Sequence, residues 1–174
     1  MLPEAIPALT SIADNARGVI DEVSDAVWMI DPKLDSLQEL VVRVRALAAD
    51  LFDGQSVGWT VESPGDASAV SLAPEQRRHV YLILKESLTN ILRHARASSV
   101  GVQVARSDGD VRFDVSDDGI GLPAAGSQSR TNGGRGLAGM QARAEAIGGT
   151  LTVTSGRDGR GTRITLEMPR RPPA

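Results

Sequence analysis

The chain has 174 residues with 41% hydrophobic content, a length and composition that fit one globular domain, or one domain with an appendage. Its net charge of −3 argues against nucleic acid as a main partner, because a general nucleic-acid binder needs a basic excess to neutralise phosphates. The lack of cysteine excludes disulfides and thiolate-bound zinc, and the two histidines leave little for any other transition-metal site.

Two amphipathic helices are predicted at the start of the chain. Apolar residues recur at helical spacing over residues 12–30 and again over 34–51, with an Asp-Pro pair at 31–32 between them. A strand over 57–61 and a turn-rich stretch over 63–71 follow. No apolar run is long enough to span a bilayer, and the first ten residues lack the basic and apolar regions of a secretion signal. We therefore expect a cytoplasmic chain with no direct membrane insertion.

Helices and strands alternate along the rest of the chain. A third helix is predicted over 74–95, and a fourth over 137–147. The predicted strands are, in chain order, residues 100–105, 111–115, 150–154 and 162–168. A turn over 107–110 joins the first two of these as a hairpin. The predicted fold class is α/β, an α+β two-layer sandwich with a mixed, largely antiparallel sheet, helices on one face and a helical appendage before it.

The third helix carries three polar residues on one face. Glu86, Asn90 and His94 fall at i, i+4 and i+8, away from the buried stripe. Asparagine offers a neutral oxygen that can complete a magnesium shell, and glutamate can orient or deprotonate a nearby group. Taken alone, a solvated helix face explains this pattern better than a site does.

A second motif, Asp117-Asp118-Gly119-Ile120-Gly121-Leu122, follows directly after a predicted strand. Its glycines let the backbone approach a flat ligand, and a carboxylate at the strand end can accept a hydrogen bond from an exocyclic amine such as that of adenine. A glycine-rich turn remains the alternative. An EF-hand is excluded, because no acidic residues follow at the required offsets.

A third motif, Gly133-Gly134-Arg135-Gly136-Leu137, opens the fourth helix. Free backbone N–H groups and the positive end of the helix dipole are expected there, where phosphates could bind. The motif matches neither a Walker loop, since no Gly-Lys-Ser/Thr follows, nor a Rossmann fingerprint, which needs a strand directly before its glycines.

Four ordered segments resemble the nucleotide-binding boxes of the GHKL ATPases: ESLTNILRHA, DDGIGL, GGRGLAGMQARAEAIGG and GRGT. That superfamily includes gyrase-type ATPases, heat-shock chaperones, mismatch-repair ATPases and histidine kinases. The amino-acid sequence within the boxes is similar to that of the sensor histidine kinases that are paired with helix-turn-helix response regulators. The likeness covers residues 73–169, and DEVSDAVWMIDPKLDSLQEL resembles the end of the second dimerisation helix and its junction to the catalytic domain.

The resemblance implies roles for individual residues. Asn90 resembles the magnesium-coordinating asparagine, Glu86 the acidic catalytic residue beside the phosphates, and Asp117 the aspartate that recognises adenine. Residues 123–133 correspond to the lid over ATP. The residues implied in ATP binding are Asn90, His94, Asp117, Gly119, Gly121, Gly134, Arg135, Gly136, Leu137, Gly161 and Thr162. A simple hairpin turn explains Gly161 and Thr162 nearly as well, and an ordinary surface histidine explains His94 equally well.

The same resemblance implies an activity with ATP and Mg²⁺ as cofactors. Residues 1–32 correspond to the second dimerisation helix, 33–169 to the ATP-binding catalytic domain and 170–174 to a tail. The γ-phosphoryl group would pass to a histidine outside this chain, because neither His79 nor His94 resembles the acceptor. We therefore expect a fragment or a truncated paralogue that does not autophosphorylate.

The expected partners follow from that activity. They are a histidine-bearing dimerisation domain, a response regulator reached through the full kinase, and a second copy of the chain through the exposed apolar stripe of the N-terminal helix. Two alternatives remain open: a serine kinase of the anti-sigma type, and a non-catalytic ATP-binding switch or scaffold.

Overall fold

A computed structural model describes Trp28 and residues 35–107, 109–121, 133–156 and 159–170. The chain divides into two compact units, residues 1–34 and 35–174. In the first unit Trp28 is helical, and the rest of the predicted N-terminal helix lies outside the described residues. The elements below belong to the second unit.

Helix α1, Leu37–Phe52, forms where the second apolar stripe predicts a helix. Ser36 caps its start, because the Ser36 hydroxyl oxygen accepts a hydrogen bond from the backbone N–H of Glu39 at 3.2 Å. The buried residues of the stripe are Leu37, Leu40, Val41, Val44, Ala48 and Phe52. Arg45 donates to the Val61 carbonyl at 3.0 Å and so ties α1 to the first strand.

Helix α2, Pro74–Asn90, continues into a single π turn over Ile91–Ala95. The helix therefore reaches Ala95 as predicted, but its last five residues are wider than an α-helix. Gln76 fixes the other end: its side-chain oxygen accepts from the Ala73 N–H at 3.2 Å, and its amide nitrogen donates to the Pro169 carbonyl at 2.8 Å. The predicted apolar stripe of this helix, Val80, Leu84, Leu88, Ile91 and Ala95, is buried.

Five strands form one mixed sheet in the order β1-β2-β3-β5-β4. They are β1 Gly58–Glu62, β2 Ser99–Arg106, β3 Asp110–Asp117, β4 Thr150–Ser155 and β5 Thr162–Pro169. Strand β1 runs parallel to β2, and the other three pairings are antiparallel. The mixed, largely antiparallel sheet of the prediction is thus confirmed, with β3 at its centre.

Helix α3, Gly133–Ala146, begins four residues earlier than the predicted start at Leu137. The predicted start was wrong because the apolar periodicity that marks a helix in the sequence begins only at Leu137. The glycines before it have no side chains and so add nothing to that periodicity. Met140 and Ala144 are buried, and the Ser87 hydroxyl of α2 lies 3.5 Å from the Met140 sulfur. The glycine motif therefore forms the first turn of α3.

The two faces of the sheet differ in chemistry. On one face, side chains of α1, α2 and three strands meet in an apolar core that includes Leu40, Val44, Leu84, Val102 and Phe113. On the other face β3 presents Arg112 and Asp114, and the Asp114 carboxylate accepts from Arg112 Nε at 2.7 Å and from the Thr165 hydroxyl at 2.6 Å. Among the residues that the structure describes, helices pack on one face of the sheet only, which is the predicted two-layer arrangement.

No helix in the described part of the chain is both long and apolar enough to cross a bilayer.

Two valines on α1 allow a matched test of this packing. Val44 is 2% exposed and Val42 is 49% exposed, so the same substitution removes core contacts at one position and surface contacts at the other. We expect Val44→Ala to lower the free energy of unfolding by about 2 kcal/mol. Val42→Ala should change it by no more than about 0.5 kcal/mol. Urea unfolding of both variants measures the difference, and equal losses would contradict the packing of α1.

Candidate functional site

Asp117, the last residue of β3, places a carboxylate at the edge of the core, where it is 7% exposed. One carboxylate oxygen accepts from the backbone N–H of Gly119 at 2.8 Å, and the other accepts from the backbone N–H of Thr162 at 3.2 Å. An ionised carboxylate has about four acceptor positions, so two donors leave room for more. The side chain is thus held in place and can still accept a hydrogen bond from a ligand.

Electrostatics set Asp117 apart from its neighbour. Burial raises the pKa of Asp117 above the ordinary value of 3.8; the N–H donors of Gly119 and Thr162 oppose this, and the nearby charge of Asp118 adds to it. Hydrogen bonds from Ser98 and Ser99 lower the pKa of Asp118, which lies at the surface. A further donor from a ligand would favour the charged form of Asp117.

Three glycines let separate segments converge on Asp117. A Cβ atom on Gly119 would collide with the Ala95 carbonyl at the end of α2, and one on Gly161 would collide with the Asp117 carbonyl. Gly161 has a φ of +67°, and Gly121, with a φ of +75°, would place a Cβ atom 3.0 Å from the Gly161 oxygen. The geometry at Gly161 is therefore more demanding than the simple hairpin turn that the sequence left open.

The polar face of α2 lies beside the first turn of α3. The Asn90 amide donates to a Glu86 carboxylate oxygen at 3.2 Å, so its own amide oxygen is the atom directed away from Glu86. A Cβ atom on Gly136 would lie 2.5 Å from that Glu86 oxygen and 3.7 Å from the Asn90 amide nitrogen. The structure thus brings the predicted asparagine and glycine motifs together, with Gly136 in the first turn of α3 next to Glu86.

The structure gives less detail on the other predicted site residues. His94 lies in the π turn and is exposed. A π turn is wider than an α turn, which moves His94 off the regular i+4 spacing from Asn90 that the sequence suggested. Leu137 is half-buried in α3, and Gly134 and Arg135 belong to its first turn. The predicted lid lies outside the described residues, apart from Gly133.

The site offers a cation few protein ligands. Within the described ranges, no group of three or more His, Cys, Asp or Glu side chains could hold a metal ion. An amide oxygen such as that of Asn90 fits Mg²⁺ that is bound mainly by phosphate oxygens and water, since Mg²⁺ keeps much of its shell and takes few protein ligands. The residues therefore fit a metal that enters with a nucleotide.

Sequence reasoning missed the part that Asp118 and two serines play. The Asp118 carboxylate accepts from the backbone N–H groups of Ser98 and Ser99, both at 2.8 Å, and from the Ser98 hydroxyl at 2.6 Å. The signal in the sequence was the doubled aspartate. Only strand pairing shows which of the two is buried and which faces the serines.

The chain matches a family of ATPase domains. Residues 75–172, more than half of the chain, match the family described as Histidine kinase-, DNA gyrase B-, and HSP90-like ATPase. This chain belongs to that family.

The named relatives are sensor histidine kinases. The chain is 33% identical over 155 residues to the signal transduction histidine-protein kinase/phosphatase UhpB of Salmonella typhimurium, covering 88% of this chain and 29% of UhpB. It is 29% identical over 173 residues to the sensor histidine kinase MctS of Rhizobium johnstonii, covering 88% of this chain and 37% of MctS. The chain thus spans between a quarter and two fifths of the length of these two relatives.

Solved structures agree with this assignment. The histidine kinase domain of the Erythrobacter litoralis EL346 blue-light activated histidine kinase superposes with a TM-score of 0.62 at 25% identity, covering 80% of this chain and 65% of that one. The predicted fold is confirmed as that of the catalytic ATPase domain of sensor histidine kinases. The serine-kinase alternative is not favoured.

A matched pair of glycines tests the convergence at Asp117. Gly119→Ala drives a methyl group against the Ala95 carbonyl, whereas Gly101→Ala in β2 places one in ordinary contact, 3.5 Å from the Ser116 hydroxyl. We expect Gly119→Ala to lower the free energy of unfolding by at least about 2 kcal/mol. Gly101→Ala should change it by about 0.5 kcal/mol or less. Thermal or urea unfolding measures both, and a neutral Gly119→Ala would refute the close approach.

Two carboxylates of β3 should respond to pH in opposite directions. The pKa of Asp117 is raised, so the folded protein retains a proton that the unfolded chain has released. The free energy of unfolding contributed by Asp117 therefore rises as pH falls through the folded pKa. Burial would also raise the pKa of Asp114, but hydrogen bonds from Arg112 and Thr165 and two guanidinium charges lower it overall. The stability from Asp114 is full above its unfolded pKa and is lost as pH falls through the folded one.

The measurement is urea unfolding of wild type, Asp117→Asn and Asp114→Asn between about pH 7 and about pH 3. On acidification, wild type should gain stability relative to Asp117→Asn and lose it relative to Asp114→Asn. Each asparagine variant serves as the control for the other, because both replace one carboxylate of the same strand. If the difference in free energy of unfolding between wild type and variant changed with pH in the same direction for both variants, the opposite pKa shifts of Asp117 and Asp114 would be contradicted.

Proposed function

We propose that residues 33–169 are the ATP-binding catalytic domain of a sensor histidine kinase, preceded over 1–32 by a segment of its second dimerisation helix and followed by a short tail over 170–174. The domain passes the γ-phosphoryl group of ATP to a histidine outside this chain. The observation that carries the proposal is the buried Asp117 carboxylate with acceptor positions left over. It lies among glycines at a strand end, beside the Glu86 and Asn90 pair.

Adenine recognition is assigned to the strand end. The Asp117 carboxylate accepts a hydrogen bond from the exocyclic amine of adenine. Glycine at positions 119, 121 and 161 lets the backbone of separate segments converge beside this carboxylate, with no side chain to block a flat base. Thr162 contributes its backbone N–H, which already holds the second Asp117 oxygen at 3.2 Å. Because the carboxylate is already fixed in the free protein, ligand binding loses little conformational entropy at this side chain.

Phosphate binding is assigned to the two helices. The first turn of α3, over residues 134–137, presents backbone N–H groups and the positive end of the helix dipole to the phosphates. The exposed His94, in the π turn that follows α2, is assigned a further contact to the phosphates. Asn90 holds Mg²⁺ through its amide oxygen, and the metal when bound neutralises charge on the phosphate oxygens. Residues 123–133 are proposed to close over the triphosphate.

Glu86 is the proposed catalytic residue. Its carboxylate lies between the Asn90 amide and the Gly136 backbone, which places a base next to the proposed phosphate site. A base in this position can orient or accept the proton of an attacking imidazole. Phosphoryl transfer otherwise depends on positioning and charge neutralisation, which the helix start and Asn90 supply.

The partners follow from the relatives, which are named as sensor histidine kinases. The acceptor histidine belongs to a dimerisation domain, and the phosphoryl group then goes to a response regulator. His79 is a poor acceptor because it is partly buried on α2, 3.7 Å from Glu75. The proposed location is the cytosolic part of a longer sensor, and the first 32 residues provide a surface for self-association.

Nucleotide titration tests the site directly. A non-hydrolysable ATP analogue is titrated calorimetrically into wild type, Asp117→Asn and Asn90→Ala, with and without Mg²⁺. We expect binding that Mg²⁺ strengthens, a loss of at least about tenfold in affinity for Asp117→Asn, and loss of the Mg²⁺ effect in Asn90→Ala. Asp114→Asn is the matched control, since it alters a buried carboxylate of the same strand on the other face of the sheet and should leave affinity unchanged.

Absence of binding by folded wild type would refute the ATP site. If binding is present, the chain is then mixed with a dimerisation domain that carries the acceptor histidine, and acid-labile phosphorylation of that histidine is expected. Binding without any transfer would instead support the non-catalytic switch, and transfer to a serine would support the serine-kinase alternative.

A further inference from the structure

The turn that joins α2 to β2 is held by one carboxylate. The turn begins at Arg96, whose φ of 51° lies in the left-handed region that side chains other than glycine rarely adopt. The Asp118 carboxylate accepts three hydrogen bonds from this turn: the backbone N–H groups of Ser98 and Ser99 at 2.8 Å and the Ser98 hydroxyl at 2.6 Å. Charge-assisted bonds of this kind are the stronger ones among side chains.

Ala95, the residue directly before this turn, contacts the segment that follows Asp117. The Ala95 carbonyl accepts from the Ile120 N–H at 2.8 Å, and it lies where a Cβ atom of Gly119 would be. The Asp118 N–H in turn donates to the Ser99 carbonyl at 3.3 Å. The end of α2 and the segment after Asp117 therefore share one set of hydrogen bonds.

We propose that Asp118 is a positioning residue for adenine recognition. By holding the turn over 96–99, its carboxylate fixes the Ala95 carbonyl, and through it the backbone of Gly119 and Ile120 beside Asp117. The inference rests on the proposed ATP site. Asp118 directly follows the end of β3. Its carboxylate binds the N–H groups of Ser98 and Ser99, whereas the Asp117 carboxylate binds those of Gly119 and Thr162, so Asp118 acts through the turn and not on the ligand.

Exposure separates this role from a general contribution to stability. Asp118 and Ser98 lie at the surface, so their hydrogen bonds order this turn and are not part of the buried core. A displaced Ala95 carbonyl, in contrast, moves the backbone of Gly119 and Ile120 beside Asp117, and a small shift there changes the fit of a flat base. Losing the carboxylate should therefore affect binding and base preference more than stability.

The test compares Asp118→Ala, Asp118→Asn and Asp53→Ala in the full chain. Asp53→Ala is the control, because it removes another exposed carboxylate that accepts one hydrogen bond, from Trp59 at 3.0 Å, in the loop after α1. Binding of non-hydrolysable adenine and hypoxanthine nucleoside triphosphates is measured calorimetrically, and amide resonances of Gly119 and Ile120 are followed by NMR. Hypoxanthine lacks the exocyclic amine, so the ratio of the two affinities reports on the fit at Asp117.

We expect Asp118→Ala to weaken adenine nucleotide binding by about tenfold and to reduce the preference over hypoxanthine, with shifts of the Gly119 and Ile120 amides. Asp118→Asn should stay within about threefold of wild type, because its amide oxygen still accepts from the turn N–H groups. Asp53→Ala should match wild type.

An Asp118→Ala variant with wild-type affinity and base preference would overturn the inference while leaving the ATP site intact. Equal weakening by Asp53→Ala would overturn it as well, since the effect would then be one of general stability. Wild type that binds no nucleotide would refute the ATP site itself, and with it any positioning role.

Discussion

The burial of one carboxylate at the end of the central strand is the constraint on which the rest of the site depends. Asp117 must find hydrogen-bond donors there, and the N–H groups of Gly119 and Thr162 serve only because their segments come close. That approach requires glycine at positions 119 and 161, since a Cβ atom at either would strike the Ala95 or the Asp117 carbonyl. The need to supply hydrogen-bond donors to this one carboxylate therefore constrains how closely the end of α2, the end of β3 and the β4–β5 turn approach one another.

The second half of the site depends on how α2 and α3 pack. Gly136 has no side chain, so the first turn of α3 can lie against Glu86, and the Glu86 carboxylate fixes the Asn90 amide at 3.2 Å. One residue along α2, the Ser87 hydroxyl faces the sulfur of Met140. Polar and apolar contacts therefore hold the same pair of helices together, and the proposed metal ligand keeps its place relative to the α3 N-terminus.

The sequence predicted the fold well wherever burial repeats with a regular period. The apolar stripe of α2 and the alternating apolar residues of the strands are examples. The core buries every second residue of a strand and every third to fourth residue of a helix, so burial leaves a regular pattern in the sequence. It failed where backbone hydrogen bonding decides: the π turn after Asn90 has no side-chain signature, and α3 begins in glycines. The site was predictable as a set of motifs, but the close approach at Gly161 and the function of Asp118 depend on contacts between distant segments.

Two aspartates of β3 show that the neighbours of a buried carboxylate decide in which direction its pKa moves. Asp114 is surrounded by guanidinium groups of Arg112 and Arg163, which compensate the carboxylate and lower its pKa. Burial is the main cause of the raised pKa of Asp117, and the like charge of Asp118 adds to it. The backbone N–H dipoles of Gly119 and Thr162 oppose the rise but compensate the charge only in part. A cation beside Asp117 would have taken the acceptor positions that remain. In the described part of the chain Asp117 is held by two backbone amides. An amine donor from a ligand would stabilise the charged carboxylate further, so the incomplete compensation that costs folding energy is available to favour binding.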